Sequence, residues 1–499
     1  MIKMYVKPNS DIYLLRGIPL DNRYEHTLWF GDTTSQHNYF AGKVKHHFTD
    51  VTYTGKDDFV TVNITADNCY DCNYLMYQNK AFGRKWFYAF IKKVEYVSND
   101  VTRIFYEIDI MQTWLHDYKM GECFVEREHV TNDAIGSNTI PEPISFGEDH
   151  YKKTAITGDY LLSDKWSIAI GFTKSIGEGG KVSPSIVAGV PCGTDVYIFN
   201  SWDTFKTFFK GLSSESVGAV AFITTMPREL GVSIGTGRVT SNDGQPYTKV
   251  IDIPRSIFTT KPGNYTPVNN KCYVYPYNYL EVQSAGETYR YQLEKNKGSF
   301  TFAYDMAFSA NPAVFVRCTS YSDQNNGFTF SAYPQLPWSG QIYSQWQIAK
   351  NVNQLNMIKG MTASHSLTTL GGSLLNSLYN NAITDDTYTR IAPSTNGTSG
   401  DYSGIVSKRL RPLFARAHLT DNALRSLDNY FTRFGYQVNR LKTPTRHTRP
   451  SFNYVKTLGC TITGSLPADD MQRINAIHDR GVTYWSNHSA VGDYSVNNK

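Results

Sequence analysis

Two pairs of residues in the sequence are spaced so that they could carry chemistry. Cys69 and Cys72 form a CxxC motif, but a zinc site needs four ligands and no second Cys or His pair stands at a matching spacing. A redox CxxC also requires a thioredoxin-like βαβ context, which the surrounding sequence lacks. Glu107 and Asp109 share one predicted strand face, whereas glycosidase carboxylates stand roughly 5 to 10 Å apart on different elements. We therefore expect structural cysteines and solvated or ion-paired carboxylates.

The other groups of potentially reactive residues are no more specific. Glu126, Glu128 and His129 are close in sequence, but the 12 histidines include no HExxH or similar metal-binding spacing. The sequence contains no Walker or GxGxxG motif. We expect no catalytic residue, no bound metal and no cofactor, and we do not expect an enzyme.

The elements that position these residues are predicted mainly as strands. The 35 Tyr and 27 Phe residues favour pleated, half-buried surfaces. Two runs between Val51 and Thr65 predict a hairpin around Gly55-Lys56-Asp57-Asp58. Trp86 to Val97 and Val101 to Ile110 predict a long antiparallel hairpin. The predicted fold class is mainly β (α+β) with several domains.

Helices are predicted where apolar spacing follows a capping residue. The clearest runs from Ala468 to Arg480 and is stopped by Gly481, after a predicted strand from Phe452 to Thr463. The others run from Asp67 or Asn68 to Asn79, from Trp202 to Leu212, and from Thr420, as the N-cap, to Arg433.

Length, charge and cysteine content limit the class of protein. A chain of 499 residues is too long for one compact core. Its net charge of +5 is weak support for a dedicated nucleic-acid binder. Seven scattered cysteines are typical of reduced, buried thiols. The sequence has no signal-peptide h-region and no apolar run of about 18 residues, so we expect folding in a cytoplasm.

Residues 360 to 384 form a window without Asp, Glu, Lys or Arg. One interpretation is a loop that merely lacks charge. The other is a plug or membrane-active loop that inserts together with those of other subunits, because one copy is too polar to span a bilayer alone. The candidate residues of this loop are Met361, Leu367, Leu370, Gly371, Gly372, Leu374, Leu375 and Leu378.

The stretch from Val406 to Arg449 is basic and contains two acidic residues, Asp421 and Asp428. Under one interpretation, its basic side chains contact phosphates. Under the other, which we favour, they pair with acidic surfaces of neighbouring subunits or are simply solvated. The candidate lumen or subunit-contact residues are Arg409, Arg411, Arg416, Arg440, Lys442, Arg446 and Arg449.

Six sequence blocks stand in two sets, one towards each end of the chain. They are GRKWFYAF (Gly83 to Phe90), FYEIDIMQTW (Phe105 to Trp114), FVEREHV (Phe124 to Val130), FGYQVNR (Phe434 to Arg440), FNYVKT (Phe452 to Thr457) and GVTYW (Gly481 to Trp485). These blocks resemble the tail knob, or distal tail tube, proteins of small short-tailed picovirus-type bacteriophages of Gram-positive hosts.

The resemblance implies a structural virion protein of the phage tail, assembled in the host cytoplasm. It implies a homo-hexamer of tail-tube-like β-barrel domains, with other tail proteins (collar and appendages) as partners and phage DNA in transit through the lumen. The loop at 360 to 384 would plug this lumen and act on the host cell membrane. A tail-tip cell-wall-degrading enzyme and a receptor-binding module stay open as alternatives.

The same blocks predict how the chain is divided. Residues 1–130 and 405–499 would form one discontinuous tube-forming β domain. A middle β-rich or α+β domain would span 131–270, a second tube-like β segment 271–335, and a long inserted loop and linker 336–404.

Overall fold

The computed structural model describes residues 10–52, 58–80, 83, 85–158, 166–173, 175–176, 186–187, 190–191, 195–213, 216, 219–227, 237–238, 248–284, 287–307, 313–323, 327–330 and 412–499. Strands predominate among them, which confirms the predicted mainly β fold class. The strands before residue 160 are β1 (Ser10–Arg16), β2 (His26–Leu28), β3 (Val44–Val51), β4 (Phe59–Val62), β5 (Cys72–Asn79), β6 (Trp86–Ser98), β7 (Val101–Ile108), β8 (Tyr118–Met120), β9 (Cys123–Glu128) and β10 (Tyr151–Ala155).

The later strands and the helices complete the description. The strands are β11 (Trp166–Phe172), β12 (Ile186–Val187), β13 (Val190–Pro191), β14 (Asp195–Phe199), β15 (Val220–Pro227), β16 (Gly237–Arg238), β17 (Thr248–Ile253), β18 (Asn278–Ser284), β19 (Glu287–Tyr291), β20 (Phe300–Ala307), β21 (Ala313–Cys318), β22 (Phe328–Phe330), β23 (Leu413–Leu419), β24 (Tyr436–Lys442), β25 (Phe452–Leu458), β26 (Ile462–Gly464) and β27 (Val482–Trp485). The α-helices are α1 (Thr33–Ala41), α2 (Ile110–Thr113), α3 (Trp202–Lys210), α4 (Ser256–Thr259), α5 (Asp421–Phe434) and α6 (Ala468–Arg480).

The chain forms two compact units, and each contains more than one stretch of sequence. The first combines Met1–Phe146, Thr266–Cys272 and Asp421–Lys499, and the second combines Gly147–Tyr265 and Tyr273–Thr420. Strand β23 belongs to the second unit because it pairs with β10 and β18. The sequence-based boundaries at 130, 270, 335 and 404 stay predictions about folding domains.

The first unit contains a six-stranded antiparallel sheet with the order β3-β1-β5-β6-β7-β4. Both faces of its central strand β5 are buried. Leu75 and Tyr77 pack in one apolar cluster, and Tyr74 and Met76 pack in another. Because neither face meets water, the strand is an almost continuous apolar run instead of an alternating one.

The second of these clusters joins the two ends of the chain. Tyr74 and Tyr88 of the six-stranded sheet share it with Ile474 of α6 and with Phe452 and Trp485 of the five-stranded sheet β2-β27-β25-β9-β24. Large aromatic side chains dominate such a core energetically, because each buries about 150–250 Å². The first unit therefore depends on residues more than 350 positions apart, as in the Trp114–Asp470 hydrogen bond of 2.9 Å.

Two local predictions in this unit are wrong. The helix predicted from Asp67 or Asn68 to Asn79 is a short 3-10 turn, Ala66–Asn68, followed by β5. Apolar spacing cannot separate a strand buried on both faces from a buried helix. The predicted hairpin between Val51 and Thr65 is also wrong, because β3 pairs with β1 and β4 pairs with β7; residues 53–57 lie outside the described part.

Other local predictions are confirmed. Strands β6 and β7 form the predicted long hairpin, although β7 ends at Ile108 and α2 begins at Ile110. Helix α6 begins at Ala468 and ends before Gly481, whose φ is 102°. Helices α3 and α5 also lie where they were predicted. The strand predicted over Phe452 to Thr463 is interrupted, because β25 ends at Leu458 and β26 starts at Ile462.

The second unit contains three four-stranded sheets among its described residues. Their strand orders are β10-β23-β18-β19, β15-β11-β14-β16 and β17-β20-β21-β22, and β12 pairs with β13 in a short ladder. Helix α3 packs Phe205 and Phe209 against Ile170 and Phe199 of the sheet centred on β11 and β14. Ser201 caps this helix by accepting a hydrogen bond from the backbone N–H of Thr204.

Candidate contact surface and buried charge clusters

Three apolar side chains form a row across neighbouring strands of the five-stranded sheet. Leu441 of β24 and Leu458 of β25 both stand opposite Phe124 of β9, and directly opposed residues of antiparallel strands share a face. Leu441 is 75% exposed and Leu458 is 66% exposed. The neighbouring β9 residues Cys123 and Val125 are instead buried in an apolar cluster. Leu441, Phe124 and Leu458 are named the apolar row below; such exposed patches commonly mark protein contacts.

Sequence reasoning did not select this row, although a signal was present. Along β25 the residues from Phe452 to Val455 are buried, and Leu458 is exposed beyond a register shift between Lys456 and Thr457. The signal is weak, because strand alternation does not carry across such a shift. The register that aligns it with Leu441 and Phe124 required the tertiary structure.

Two of the predicted basic residues lie beside the apolar row. Arg440 precedes Leu441 and is exposed. The Lys442 ammonium pairs with the Glu128 carboxylate, which is buried. Arg440 therefore keeps a charge available at the surface, whereas the charge of Lys442 is balanced within the first unit.

Arg416 of β23 is buried inside the second unit. Its Nε donates to Asn278 Oδ1 at 2.7 Å, and its Nη atoms donate to the carbonyl oxygens of Ile257, Phe258 and Thr260 at 2.7, 3.1 and 2.9 Å. Burial lowers the pKa of this guanidinium to about 10. The side chain joins β23 to β18 and to the end of α4, so its hydrogen bonds stabilise the fold of its own unit.

The remaining predicted basic residues differ in their surroundings. The Arg446 guanidinium lies 4.8 Å from the Trp29 ring centroid and 4.9 Å from that of Tyr118. Arg449 is buried, with 6% of its surface exposed. Arg409 and Arg411 lie outside the described residues.

The candidate plug loop at residues 360 to 384, including Met361, Leu367, Leu370, Gly371, Gly372, Leu374, Leu375 and Leu378, also lies outside the described residues. Within the described part, no helix is long and apolar enough to cross a membrane. The role of this loop stays a prediction.

The buried carboxylate of Glu142 connects several segments of the first unit. The Glu142 side chain is fully buried and pairs with both Arg127 and Lys271. It also accepts a hydrogen bond of 2.8 Å from the backbone N–H of Gln437. A buried charge is tolerated when it is paired and hydrogen-bonded, and removing one partner costs about 3–5 kcal/mol. Glu142 therefore fixes its own segment against β9, the start of β24 and the segment that carries Lys271.

A second carboxylate holds the short segment Thr266–Cys272 in the first unit. Asp428 of α5 accepts hydrogen bonds from the backbone N–H groups of Val268 and Asn269 at 2.8 and 2.9 Å. The Asn269 side-chain amide also donates to it at 2.8 Å. These hydrogen bonds satisfy backbone N–H groups that would otherwise lack partners in so short a segment.

His129 lies at the end of β9 and is buried as a neutral imidazole. The backbone N–H of Tyr454 donates to Nδ1 at 2.8 Å, so the ring proton is on Nε2, which donates to the Thr432 carbonyl at 3.0 Å. Burial, reinforced by the nearby Arg449 charge, lowers the pKa of His129 to about 3. The ring thus ties β9 to β25 and α5 while it is uncharged.

The residues first considered for chemistry are held in structural roles. Cys69 and Cys72 are buried free thiols, and burial raises the pKa of Cys72 to about 11. Such thiols are poor nucleophiles because few are ionised at neutral pH. The described residues contain no group of three His, Cys, Asp or Glu side chains that could hold a metal ion.

The predicted carboxylate pair does not converge on a site. Glu107 pairs with Lys92 at 3.1 Å and with Arg473 at 3.0 Å. Asp109 is buried beyond the end of β7, where it caps α2 through the Gln112 N–H and accepts a 2.8 Å hydrogen bond from the Tyr74 hydroxyl. Burial raises the pKa of Asp109 to about 6.

The fold and the two ends of the chain match known phage proteins. Residues 8–119 match the family described as caudoviral major tail protein N-terminus. The solved structure of the bacteriophage C1 tail knob protein, gp12, is similar in fold, with a TM-score of 0.68 and 15% identity over 98% of this chain and 99% of that chain. The chain is thus a structural protein of a bacteriophage tail, located in the virion.

The more specific assignment comes from the second half of the chain. Residues 247–499, more than half of its length, match the family described as Bacillus phage phi29, tail knob protein gp9, C-terminal domain. The chain is 25% identical to tail knob protein gp9 of Bacillus phage phi29 and 22% identical to that of Bacillus phage B103, over 98% of both chains in each case. The chain belongs to the tail knob protein family, which confirms the predicted resemblance.

Proposed function

We propose that the protein assembles into a hexameric tube in the distal tail and conducts DNA during ejection. The family relationship supports a tail knob role, and the first unit supplies a surface suited to assembly. The apolar row is the observation that carries the assembly step. Burying an exposed leucine against a neighbouring subunit contributes about 25 cal/mol of favourable free energy per Å² of apolar area. A contact between subunits at the apolar row would therefore stabilise the assembly.

Substituting the two exposed leucines tests the assembly step. Leu441→Ser with Leu458→Ser should weaken ring formation without unfolding the first unit, since both side chains are mostly exposed. Val97→Ser, at the end of the β6–β7 hairpin where Val97 is 46% exposed, is the matched control. Electron microscopy of the purified chains should show six-membered rings for the wild type and the control, and mostly single subunits for the double variant.

Two results would contradict this assignment. A wild-type chain that stays monomeric at micromolar concentration, with no rings on assembled tails, would remove the tube. Rings of unchanged yield in the double variant would leave the tube but move the contact away from the apolar row.

The loop at 360 to 384 is proposed to plug the lumen and to act on the host membrane. Its support is the uncharged composition, which several copies around one axis could present together. Leakage of a dye from anionic liposomes should be faster with the full chain than with a chain lacking residues 360–384. Equal leakage from both chains would exclude membrane action by this loop.

A further inference from the structure

Arg449 carries a buried charge that the described structure leaves unbalanced. The residue lies between β24 and β25 and is 6% exposed. It forms no hydrogen bond or ion pair with any residue that the structure describes, and its Nε atom is fully buried without an acceptor. The other buried cations differ, because Arg127 and Lys271 share Glu142 and Arg416 has four acceptors.

The residues next to Arg449 cannot supply the missing acceptor. Both ring nitrogens of His129 are occupied, by the Tyr454 N–H and by the Thr432 carbonyl. The preceding residue, Thr448, uses its hydroxyl to donate to the His129 carbonyl at 3.0 Å. A buried charge is strongly unfavourable without a partner, and no described residue supplies one, so an external group that carries acceptor oxygens would stabilise this position.

We propose that Arg449 is the anchor of an oxyanion-binding site. A guanidinium presents N–H donors in a planar fork that matches a carboxylate or a phosphate with two parallel hydrogen bonds. The source of this oxyanion is a carboxylate of a second copy of this chain, which rests on the proposed ring assembly, or a free phosphate ion.

A phosphate titration tests the site on the full-length chain. Thermal unfolding is followed in phosphate and in chloride at equal ionic strength, for the wild type, Arg449→Met and Arg440→Met. Arg440 is the matched control, since it loses the same charge from an exposed position nearby. Phosphate at about ten times its dissociation constant should raise the melting temperature of the wild type and of R440M by about 2–5 °C, with no shift for R449M.

Sedimentation of the same chains over a concentration series separates the two sources. A neighbour's carboxylate predicts that R449M associates at least tenfold more weakly than R440M, and that phosphate weakens the association of the wild type. A free phosphate predicts equal association of R449M and R440M together with the thermal shift.

Further results decide against the site. If the wild type shows no phosphate-specific shift and R449M and R440M associate equally, Arg449 binds no oxyanion. The wild-type titration is informative even if R449M does not fold, and Arg449→Lys then serves as the second variant. R449K keeps the charge but loses the fork, so an unchanged phosphate shift in R449K would exclude bidentate binding.

Discussion

Lowering the pH from 7 to 5 should destabilise the first unit through His129. The neutral ring accepts from Tyr454 N–H and donates to the Thr432 carbonyl, and its pKa is about 3 in the folded chain against an ordinary value of 6.5. Because the folded value is depressed, the stabilising contribution of the neutral ring is fully present above pH 6.5. This contribution is lost as the pH falls from 6.5 towards 3, because in that range the unfolded chain binds a proton at His129 and the folded chain does not.

The size of the effect follows from these two pKa values. At pH 5 the unfolded imidazole is almost fully protonated while the folded ring is still neutral, so the loss is about 2 kcal/mol at 1.36 kcal/mol per pKa unit. His478, whose pKa is lowered by burial to about 4, contributes with the same sign. Asp109 acts in the opposite direction, because its raised pKa of about 6 makes the folded state relatively more stable as the pH falls.

Comparing the wild type with His129→Gln separates the contribution of His129 to the pH dependence of stability from those of His478 and Asp109. Urea unfolding of both chains is followed at pH 7, 6 and 5 by tryptophan fluorescence, since Trp485 is buried in the core of the first unit. The free energy of unfolding of the wild type should fall by about 2 kcal/mol more than that of H129Q between pH 7 and 5. His47→Gln, at an exposed position of β3, is the matched control. Equal pH dependence of wild type and H129Q would refute a buried neutral imidazole.

Three further predictions concern stability and reactivity. Gly435→Ala should destabilise the first unit by more than about 2 kcal/mol, because φ is +62° and a Cβ would lie 2.4 Å from the Glu128 backbone. Gly459→Ala, where φ is +67° but the space is open, should cost only about 1–2 kcal/mol. Equal urea midpoints of the two variants would contradict the clash at Gly435. Arg416→Met should lower the free energy of unfolding of the second unit by about 3–5 kcal/mol, because the acceptors of the guanidinium are left unpaired. Arg440→Met, the exposed control, should change the free energy of unfolding by less than about 0.5 kcal/mol. Similar losses in the two variants would show that the Arg416 hydrogen bonds contribute little. Cys72, buried with a pKa of about 11, should react with iodoacetamide at pH 7 only after unfolding, and rapid labelling of the folded chain, detected by peptide mass spectrometry, would disprove its burial.

The sequence by itself determined the features that short-range pattern controls. Helix α6 follows from its apolar spacing and from Gly481, which stops it, and the β6–β7 hairpin follows from two β-rich runs around a turn. These elements are encoded within about 10–25 neighbouring residues, so no long-range information is needed. The family resemblance was also recoverable, because its blocks are contiguous in sequence.

Only the tertiary structure decided which side chains meet. Residues 72–79 form a strand and not a helix because both faces of that strand are buried by distant parts of the chain, which override local spacing. The same reason explains why the basic candidates divide into an exposed Arg440, a fully bonded Arg416, and an Arg449 that has no hydrogen-bond or ion-pair partner among the described residues. Their charge was visible in the sequence, but the acceptors of Arg416 lie on segments more than 100 residues away.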